Sequence, residues 1–267
     1  KGIEAAQSLA RTIADDKRTP QPLSKLVVGV KCGASDATSG LVSNPVVGRA
    51  ADLMVDMGST VIFGEVTEFL GAEHVLARRC VDSATSEQLL RMVDALENRV
   101  KQTGVDMRGG QPSAGNIRGG ISTIEEKSLG AVCKAGSRPI AQVCDYGARP
   151  TKPGLIAMNS PGREPEILTG LAAAGATVIV FSTGLGAPQG FPSVPVVKVT
   201  ANRATWDRLR CHIDCFVGEV LDGRRTLEGS AREVVKLILE VANGRPTKAE
   251  DLGYYEPTDI WVLGPTI

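Results

Sequence analysis

Histidine, aromatic residues and long hydrophobic runs are scarce in this sequence. Its 267 residues include two histidines and 4% aromatic residues. The longest apolar runs, such as ATVIVF (176–181), are far shorter than the roughly 20 residues that span a bilayer. The 30 basic and 30 acidic residues balance, and no basic run interleaves with aromatic residues. We therefore predict neither a membrane-spanning segment nor a nucleic-acid partner.

Sequence motifs of several enzyme classes are also absent. The chain contains no GxSxG nucleophile motif and no P-loop. TGLGAPQG (183–190) follows a predicted strand, but it lacks the GxGxxG pattern and Pro188 interrupts it. We therefore predict no nucleotide cofactor. Because only His74 and His212 could serve as the base, a serine or cysteine triad has few candidates.

The six cysteines do not form a CxxC pair, and no signal peptide is visible. Scattered cysteines in a chain of this length are typical of reduced, cytosolic proteins. We predict a cytoplasmic protein whose cysteines are mostly small core residues. The run CHIDC (211–215) is too tight to close easily around one metal, and we interpret it as a helix end that enters a strand.

Short apolar segments alternate with helical patterns along the chain. This alternation is typical of an α/β fold, a mostly parallel sheet with helices on both faces. In such sheets, ligands bind outside the carboxyl ends of the strands. The predicted strands are 26–30, 60–64, 154–158, 177–182, 194–200 and, in the tail, IWVL (260–263).

The predicted helices carry recognisable start signals. Pro45 suits the first turn of a helix that opens at Asn44, and Ser122 with Glu125 forms a candidate capping box. GGQPSAGNIRGG (109–120) is predicted to be a flexible or ligand-facing loop. The predicted helices cover about 3–16, 44–57, 72–80, 85–103, 122–135, 204–211 and 229–242, with a further loop and helix within 160–176.

Ligand-type side chains follow the first two predicted strands. Lys31, Cys32 and Asp36 would open onto the same sheet edge as Glu65 and Glu68, with His74 at the start of the next helix. Thiolate, carboxylate and imidazole ligands in one cleft suit a divalent metal such as Fe²⁺ or Zn²⁺. The alternative is an acidic first helical turn that only favours the helix dipole. Both interpretations remain open from the residues alone.

Five sequence blocks, in order, resemble a known family. The series covers roughly residues 26–222 and resembles the C-terminal catalytic region of the altronate/galactarate dehydratases, with the large subunit of the sulfolactate sulfo-lyases as a related branch. The blocks are KCGASDATSGLVSNPVVG, GEVTEFLGAEHVLARR, GNIRGGISTIEEKSLGAVCKAGSRPI, MNSPGREPEILTGLAAAGATVIVFSTGLGAPQGFPSVPVVKVTAN and HID.

The resemblance implies a Rossmann-like, mostly parallel sheet with an unusual chain crossover. Residues 23–267 would form a single catalytic α/β domain, and residues 1–22 would be the tail and connector of a preceding region that helps dimerisation in the family. Family members carry a small N-terminal SAF-type domain, or a separate small subunit, which we expect to be absent from this chain. The resemblance thus implies a homodimer with a SAF-type domain or subunit as a partner.

The function implied by the resemblance is that of a metal-dependent hydro-lyase. Such an enzyme removes water from a sugar acid, such as altronate or galactarate, to give a 2-keto-3-deoxy acid. The expected metal is Fe²⁺, with Mn²⁺ or Mg²⁺ as alternatives. Two other functions stay open: elimination of sulfite from sulfolactate, and binding of a sugar acid without catalysis.

Elimination of water requires a base at C2, an acid for the departing hydroxyl and a Lewis acid on the carboxylate. We assign the metal to Cys32, Glu65 and His74, with Glu68 as a fourth ligand. The other assignments are Lys31 or Lys127 as the base, Asp36 as a hydroxyl-orienting residue, and Asn116, Thr183 and Arg163 as substrate-binding residues.

Two positions depart from the pattern expected of the family. Asn159 stands in MNSPG where MDTPG is usual, so an amide replaces a carboxylate. Ala187 stands where an Asn before the proline is common. Both follow predicted strands, where substrates bind, so they leave the substrate open.

Overall fold

A seven-stranded, all-parallel sheet forms the centre of the molecule. The computed structural model describes residues 1–255 and 258–262. The strands are β1 Val27–Gly33, β2 Thr60–Phe63, β3 Ile140–Cys144, β4 Leu155–Met158, β5 Val178–Thr183, β6 Val196–Thr200 and β7 Cys215–Phe216. The predicted α/β class is therefore confirmed.

The inner strands are continuous apolar runs, as expected where both faces of a parallel sheet are covered. Every residue of β2, β4 and β5 is buried. Sequence analysis missed β3, an edge strand in which Gln142 interrupts the apolar pattern. It interpreted CHIDC (211–215) as a helix end that enters a strand, and the two-residue β7 begins at Cys215. No strand forms at Ile260–Val262 in the described part of the tail, and Leu263 lies outside the described residues.

The strand order is β3-β4-β2-β1-β5-β6-β7. After β1 the chain builds toward one edge of the sheet, and from β5 onward it builds toward the other. The chain also passes the position of β4 when it goes from β2 to β3, and then returns to fill it. The order thus reverses at the centre, where the carboxyl ends of the strands leave a crevice for ligands.

Helices cover both faces of the sheet. Alternate strand residues point to opposite faces and therefore belong to two separate cores. Val30 and Phe63 belong to the larger core, and Ile62 and Phe181 belong to the smaller one. The helices are α1 Gly2–Ile13, α2 Asn44–Asp56, α3 Glu73–Ala77, α4 Ser83–Gln102, α5 Met107–Gly110, α6 Ala114–Arg118, α7 Ile124–Val132, α8 Glu164–Ala173, α9 Arg203–Arg208, α10 Leu227–Ala242 and α11 Lys248–Asp251. Helices α2, α4 and α10 pack on the larger core, and α8 packs on the smaller.

Local start signals explain where the predicted helices differ from the observed ones. Thr123, rather than Ser122, caps α7, because its side chain accepts the N–H of Glu126. Ser122 instead donates its N–H and O–H to the Glu126 carboxylate. The predicted loop 109–120 contains the short helix α6 and the last two residues of α5.

The N-terminal helix stands apart from the rest of the fold. All twelve residues of α1 are exposed, including the apolar Ile3, Leu9 and Ile13. Among the described residues, no helix has the length and apolar character needed to cross a bilayer.

Candidate active site

The candidate site forms where β1 and β2 end side by side. The strands pair in parallel with Val30 opposite Phe63, so the residues that follow meet at one edge of the sheet. Lys31 and Cys32 lie near the end of β1, Glu65 follows β2, and all three are buried. The N–H of Cys32 donates a 2.9 Å hydrogen bond to Glu65 Oε2, which ties the two strand ends together.

Glu65 has a left-handed backbone conformation, with φ 71° and ψ 60°. For a residue with a Cβ this costs roughly 1–2 kcal/mol, and such strain clusters at functional sites. Ser160, which follows β4, supports the turn: its Oγ accepts the N–H of Glu65, and its carbonyl accepts the N–H of Val66, both at 2.9 Å. The turn leaves the Glu65 carboxylate directed toward Cys32.

Glu68 completes a group of three candidate metal ligands. It ends the short 3₁₀ turn Val66–Glu68, and the Cys32 thiol donates to its Oε2 at 3.0 Å. One ligand atom from each of Cys32, Glu65 and Glu68 lies within 4.8 Å of the other two. Three of the four sequence-predicted metal ligands therefore come together. We call them the ligand triad.

Lys134, which sequence analysis did not single out, lies among these three side chains. Its Nζ is 2.8 Å from Glu68 Oε2, 2.9 Å from Glu65 Oε2 and 3.5 Å from Cys32 Sγ. The lysine is 0% exposed. A charged residue within the small, apolar run AVCKAG (131–136) is the signal that could have identified it.

Lys31 is the second buried cation of the site. Its Nζ lies 3.4 Å from Glu65 Oε1, 3.8 Å from Glu164 Oε1 and 3.7 Å from the centre of the Phe181 ring. It also donates to the Cys32 carbonyl at 3.1 Å. Glu164, in the first turn of α8, is another site residue that sequence analysis missed.

Burial and the neighbouring charged groups shift the pKa values of all three triad residues. Burial raises the pKa of the Cys32 thiol far above its usual value, Glu68 adds to the effect, and Lys134 opposes it. Burial also raises the pKa of Glu65 despite the opposing ammonium of Lys134. For Glu68 burial acts in the same direction, but Lys134 and Lys127 outweigh it, so its pKa falls.

The pKa of Lys134 moves in the direction opposite to the effect of its burial. Burial alone would lower it, but Cys32, Glu65 and Glu68 together raise it well above the usual lysine value. Lys134 is therefore a stable ammonium, held by carboxylates in a dry environment.

A polar cavity of about 150 Å³ lies beside the triad. Lys127 lines it and donates a 2.5 Å hydrogen bond to Gln111 Oε1. Asn116 also lines it, and its side-chain amide is held by Ser113 and by the Ser35 carbonyl. The cavity size suits a small polar ligand. Its lining residues are Cys32, Gly33, Ala34, Ser35, Glu68, Gln111, Ser113, Asn116, Lys127, Gly162 and Glu164.

Two other predicted site residues organise loops. The Asp36 carboxylate accepts hydrogen bonds from Thr38, from Ser39 and from the side-chain amide of Asn202. Thr183 Oγ accepts the N–H of Gly186. Neither side chain is among those that line the cavity.

His74 and Arg163 are exposed. His74 is the second residue of α3, and it is not part of the metal-ligand group found among the described residues. The side chain of Arg163 is 62% exposed and pairs with Glu166 and Asp259. Asn159 and Ala187, where the sequence departs from the family pattern, are also not among the cavity-lining residues.

The residues present fit a divalent metal by their chemistry. One thiolate and two carboxylates suit a borderline metal such as Fe²⁺ or Zn²⁺. Glu65 Oε1 is buried and accepts no hydrogen bond from any described residue, and its nearest cation is the Lys31 ammonium at 3.4 Å, so its lone pairs could still bind a metal. A metal at the triad would, however, meet the ammonium of Lys134.

Comparison with known proteins gives a consistent result over most of the chain. The profile of the family described as D-galactarate/altronate dehydratase, C-terminal, matches residues 23–266. The chain is 39% identical over 255 residues to (2R)-sulfolactate sulfo-lyase subunit beta of Chromohalobacter salexigens, which aligns 94% of this chain and 65% of that protein.

Two dehydratases of Escherichia coli are similarly related. Galactarate dehydratase (L-threo-forming) is 37% identical over 249 residues, covering 93% of this chain and 47% of that enzyme. Altronate dehydratase is 38% identical over 246 residues, covering 92% and 49%. The chain thus spans about half to two thirds of the length of these relatives, and the resemblance predicted from its sequence blocks is confirmed.

Proposed function

The chain belongs to the D-galactarate/altronate dehydratase C-terminal family, and from this we propose that it is the catalytic region of a sugar-acid dehydratase. The reaction would be elimination of water from an acid such as altronate or galactarate, giving a 2-keto-3-deoxy acid. The observation that carries the proposal is the ligand triad of Cys32, Glu65 and Glu68 beside a small polar cavity.

The triad would hold the metal through one sulfur and two carboxylate oxygens. We propose Fe²⁺, with Mn²⁺ or Mg²⁺ as alternatives, and the bound ion would supply Lewis acidity at the substrate carboxylate. Ser160 keeps Glu65 in the orientation that this requires.

Lys127 is the better placed of the two candidate bases. It lines the cavity, whereas Lys31 is enclosed by Glu65, Glu164 and the Phe181 ring. We propose that Lys127 is the general base that takes the C2 proton, while Asn116 hydrogen-bonds a substrate hydroxyl. Glu164 lines the same cavity and is our candidate to protonate the departing C3 hydroxyl.

The test compares Glu65→Gln with His74→Ala in protein purified without oxygen. We expect Glu65→Gln to lose its metal, measured by elemental analysis, and to lose turnover by about 100-fold or more. His74→Ala is the matched control and should keep both, because His74 is exposed. Full metal and full turnover in Glu65→Gln would contradict the proposal.

Elimination of sulfite from a sulfonated hydroxy acid is the second candidate function. It is favoured by the relation to (2R)-sulfolactate sulfo-lyase subunit beta, of which this chain covers 65% against 47–51% for the dehydratases. Sulfite leaves without a proton, so Glu164→Gln should slow dehydration far more than sulfite release. Measuring sulfite and 2-keto acid from four- to six-carbon acids separates the two reactions, and binding without either product indicates a non-catalytic domain.

We further propose that the active protein contains a domain or subunit in addition to this chain. The partial coverage of the relatives supports an additional SAF-type domain or small subunit. The exposed apolar residues of α1 support the prediction that residues 1–22 belong to a preceding dimerisation region, with residues 23–267 as one catalytic domain. Measuring the molar mass by light scattering tests the predicted dimer. The cytoplasmic location stays a prediction.

A further inference from the structure

The position best placed to bind a metal is held by a side chain of the protein itself. Lys134 Nζ lies within 3.5 Å of one ligand-type atom of each triad residue, and one such atom from each residue lies within 4.8 Å of the other two. Metal–ligand bonds of about 2.0–2.3 Å would place an ion in the same small space. The ammonium of Lys134 and a metal bound by all three ligands therefore exclude each other.

The ammonium has a clear role while no metal is bound. Glu65 and Glu68 are both buried, and two buried carboxylates without a counter-ion would repel each other and lose their solvation. Lys134 neutralises them through contacts of 2.9 and 2.8 Å. The triad is thus assembled before a metal arrives.

We expect the Lys134 side chain to be able to leave the triad without unfolding the site. Lys134 lies in the 3₁₀ turn Cys133–Ala135, and a four-carbon stem separates its ammonium from the backbone. The polar cavity is lined by Cys32 and Glu68, both of which contact Lys134 Nζ, so we expect a displaced ammonium to move toward it.

We propose that Lys134 is a built-in competitor of the metal. Its ammonium occupies the triad in the metal-free protein, is displaced when a divalent cation binds, and thereby lowers the metal affinity of the site. The inference rests on the proposed function, because it takes the triad to be the metal site.

The test measures Mn²⁺ binding to the full chain, using the electron paramagnetic resonance signal of free Mn²⁺. Lys134→Met removes the competitor, so we expect the dissociation constant to fall by about 10-fold or more, since two charge-assisted hydrogen bonds no longer have to be broken. The matched control is Lys198→Met, a second lysine at 0% exposure, whose Nζ bonds the carbonyls of Pro188 and Gln189. This control should bind Mn²⁺ as the wild type does.

The outcomes distinguish the two proposals. If neither the wild type nor Lys134→Met binds Mn²⁺, the assignment of the metal centre is wrong. If the wild type binds Mn²⁺ and Lys134→Met binds it equally or more weakly, only the role of Lys134 is overturned.

A wild-type measurement covers the case in which Lys134→Met does not fold. A crystal structure of the wild type with Mn²⁺ should show Lys134 Nζ beyond hydrogen-bond distance of Glu65 and Glu68, with the ion in its place. An ammonium still bonded to both carboxylates beside a bound ion would overturn the inference.

Discussion

Two regions of the molecule each bury a lysine completely, and they differ in what faces the ammonium. Lys134 meets the carboxylates of Glu65 and Glu68 at the ends of β1 and β2. Lys198, in β6, donates to the backbone carbonyls of Pro188 and Gln189 at 3.2 and 3.3 Å. Both are 0% exposed, so burial alone does not distinguish them.

The neighbouring groups shift the pKa values of Lys134 and Lys198 in opposite directions. The carboxylates and the Cys32 thiol raise the pKa of Lys134 well above its usual value. For Lys198 burial dominates, Asp214 opposes it weakly, and the pKa falls to about 8. The comparison shows how one residue type can occupy a cation site in one region and anchor a loop in another.

The largest expected effect is on stability. In metal-free protein, Lys134→Met should lower the free energy of unfolding by about 3–5 kcal/mol, because two buried carboxylates lose their counter-ion. Lys198→Met should cost less, at most about 1–3 kcal/mol, because it leaves only neutral carbonyls unpaired and also removes an ammonium that burial disfavours. Urea unfolding with a chelator present measures both, and equal losses would remove the proposed distinction between the two regions.

The pH dependence of Lys198 gives the next largest effect. Its folded pKa of about 8 lies below the usual 10.5, so between these values the unfolded chain binds more protons than the folded one. Wild-type stability should therefore rise with pH in this window, by about 3 kcal/mol relative to Lys198→Met, and stay parallel to it below pH 8. Stability curves that remain parallel from pH 7 to 11 would contradict the assignment.

Ser160→Ala sharpens the comparison on the carboxylate side. It leaves the buried N–H of Glu65 without its side-chain acceptor, and we expect a loss of about 1–2 kcal/mol in stability and about 10-fold in turnover. Ser182→Ala is the matched control, since Ser182 Oγ is buried and has no hydrogen-bond partner among the described residues. Equal effects of the two substitutions on turnover would show that the Glu65 turn needs no support from Ser160.

The smallest effect is expected outside both regions, at Arg163. Its side chain is 62% exposed, and its ion-pair partners among the described residues are Glu166 and Asp259. Arg163→Ala should change kcat/KM by less than about two-fold and leave the melting temperature unchanged. A large rise in KM would restore Arg163 as the substrate-binding residue predicted from sequence.

The inner sheet and three of the proposed ligands could be predicted because both follow from local patterns. Continuous apolar runs identify β1, β2, β4 and β5, and the strand-end rule then directs attention to Cys32, Glu65 and Glu68. The edge strand β3 escaped prediction because Gln142 breaks its apolar pattern and its burial depends on one neighbouring strand.

The missed parts of the site depend on tertiary contacts. Lys134 and Glu68 are 66 positions apart, and Lys31 and Glu164 are 133 apart, so no local pattern relates them. His74 illustrates the opposite case. It is close to Glu68 in sequence, but α3 presents it to solvent.

Cobalt substitution tests the central claim most directly, because a cysteine thiolate bound to Co²⁺ gives a charge-transfer absorption band. The account predicts that this band appears in the wild type, saturates at about one Co²⁺ per chain and disappears in Cys32→Ser. A band that persists in Cys32→Ser, or a wild type that binds Co²⁺ without the band, would contradict the assignment of the triad as the metal centre.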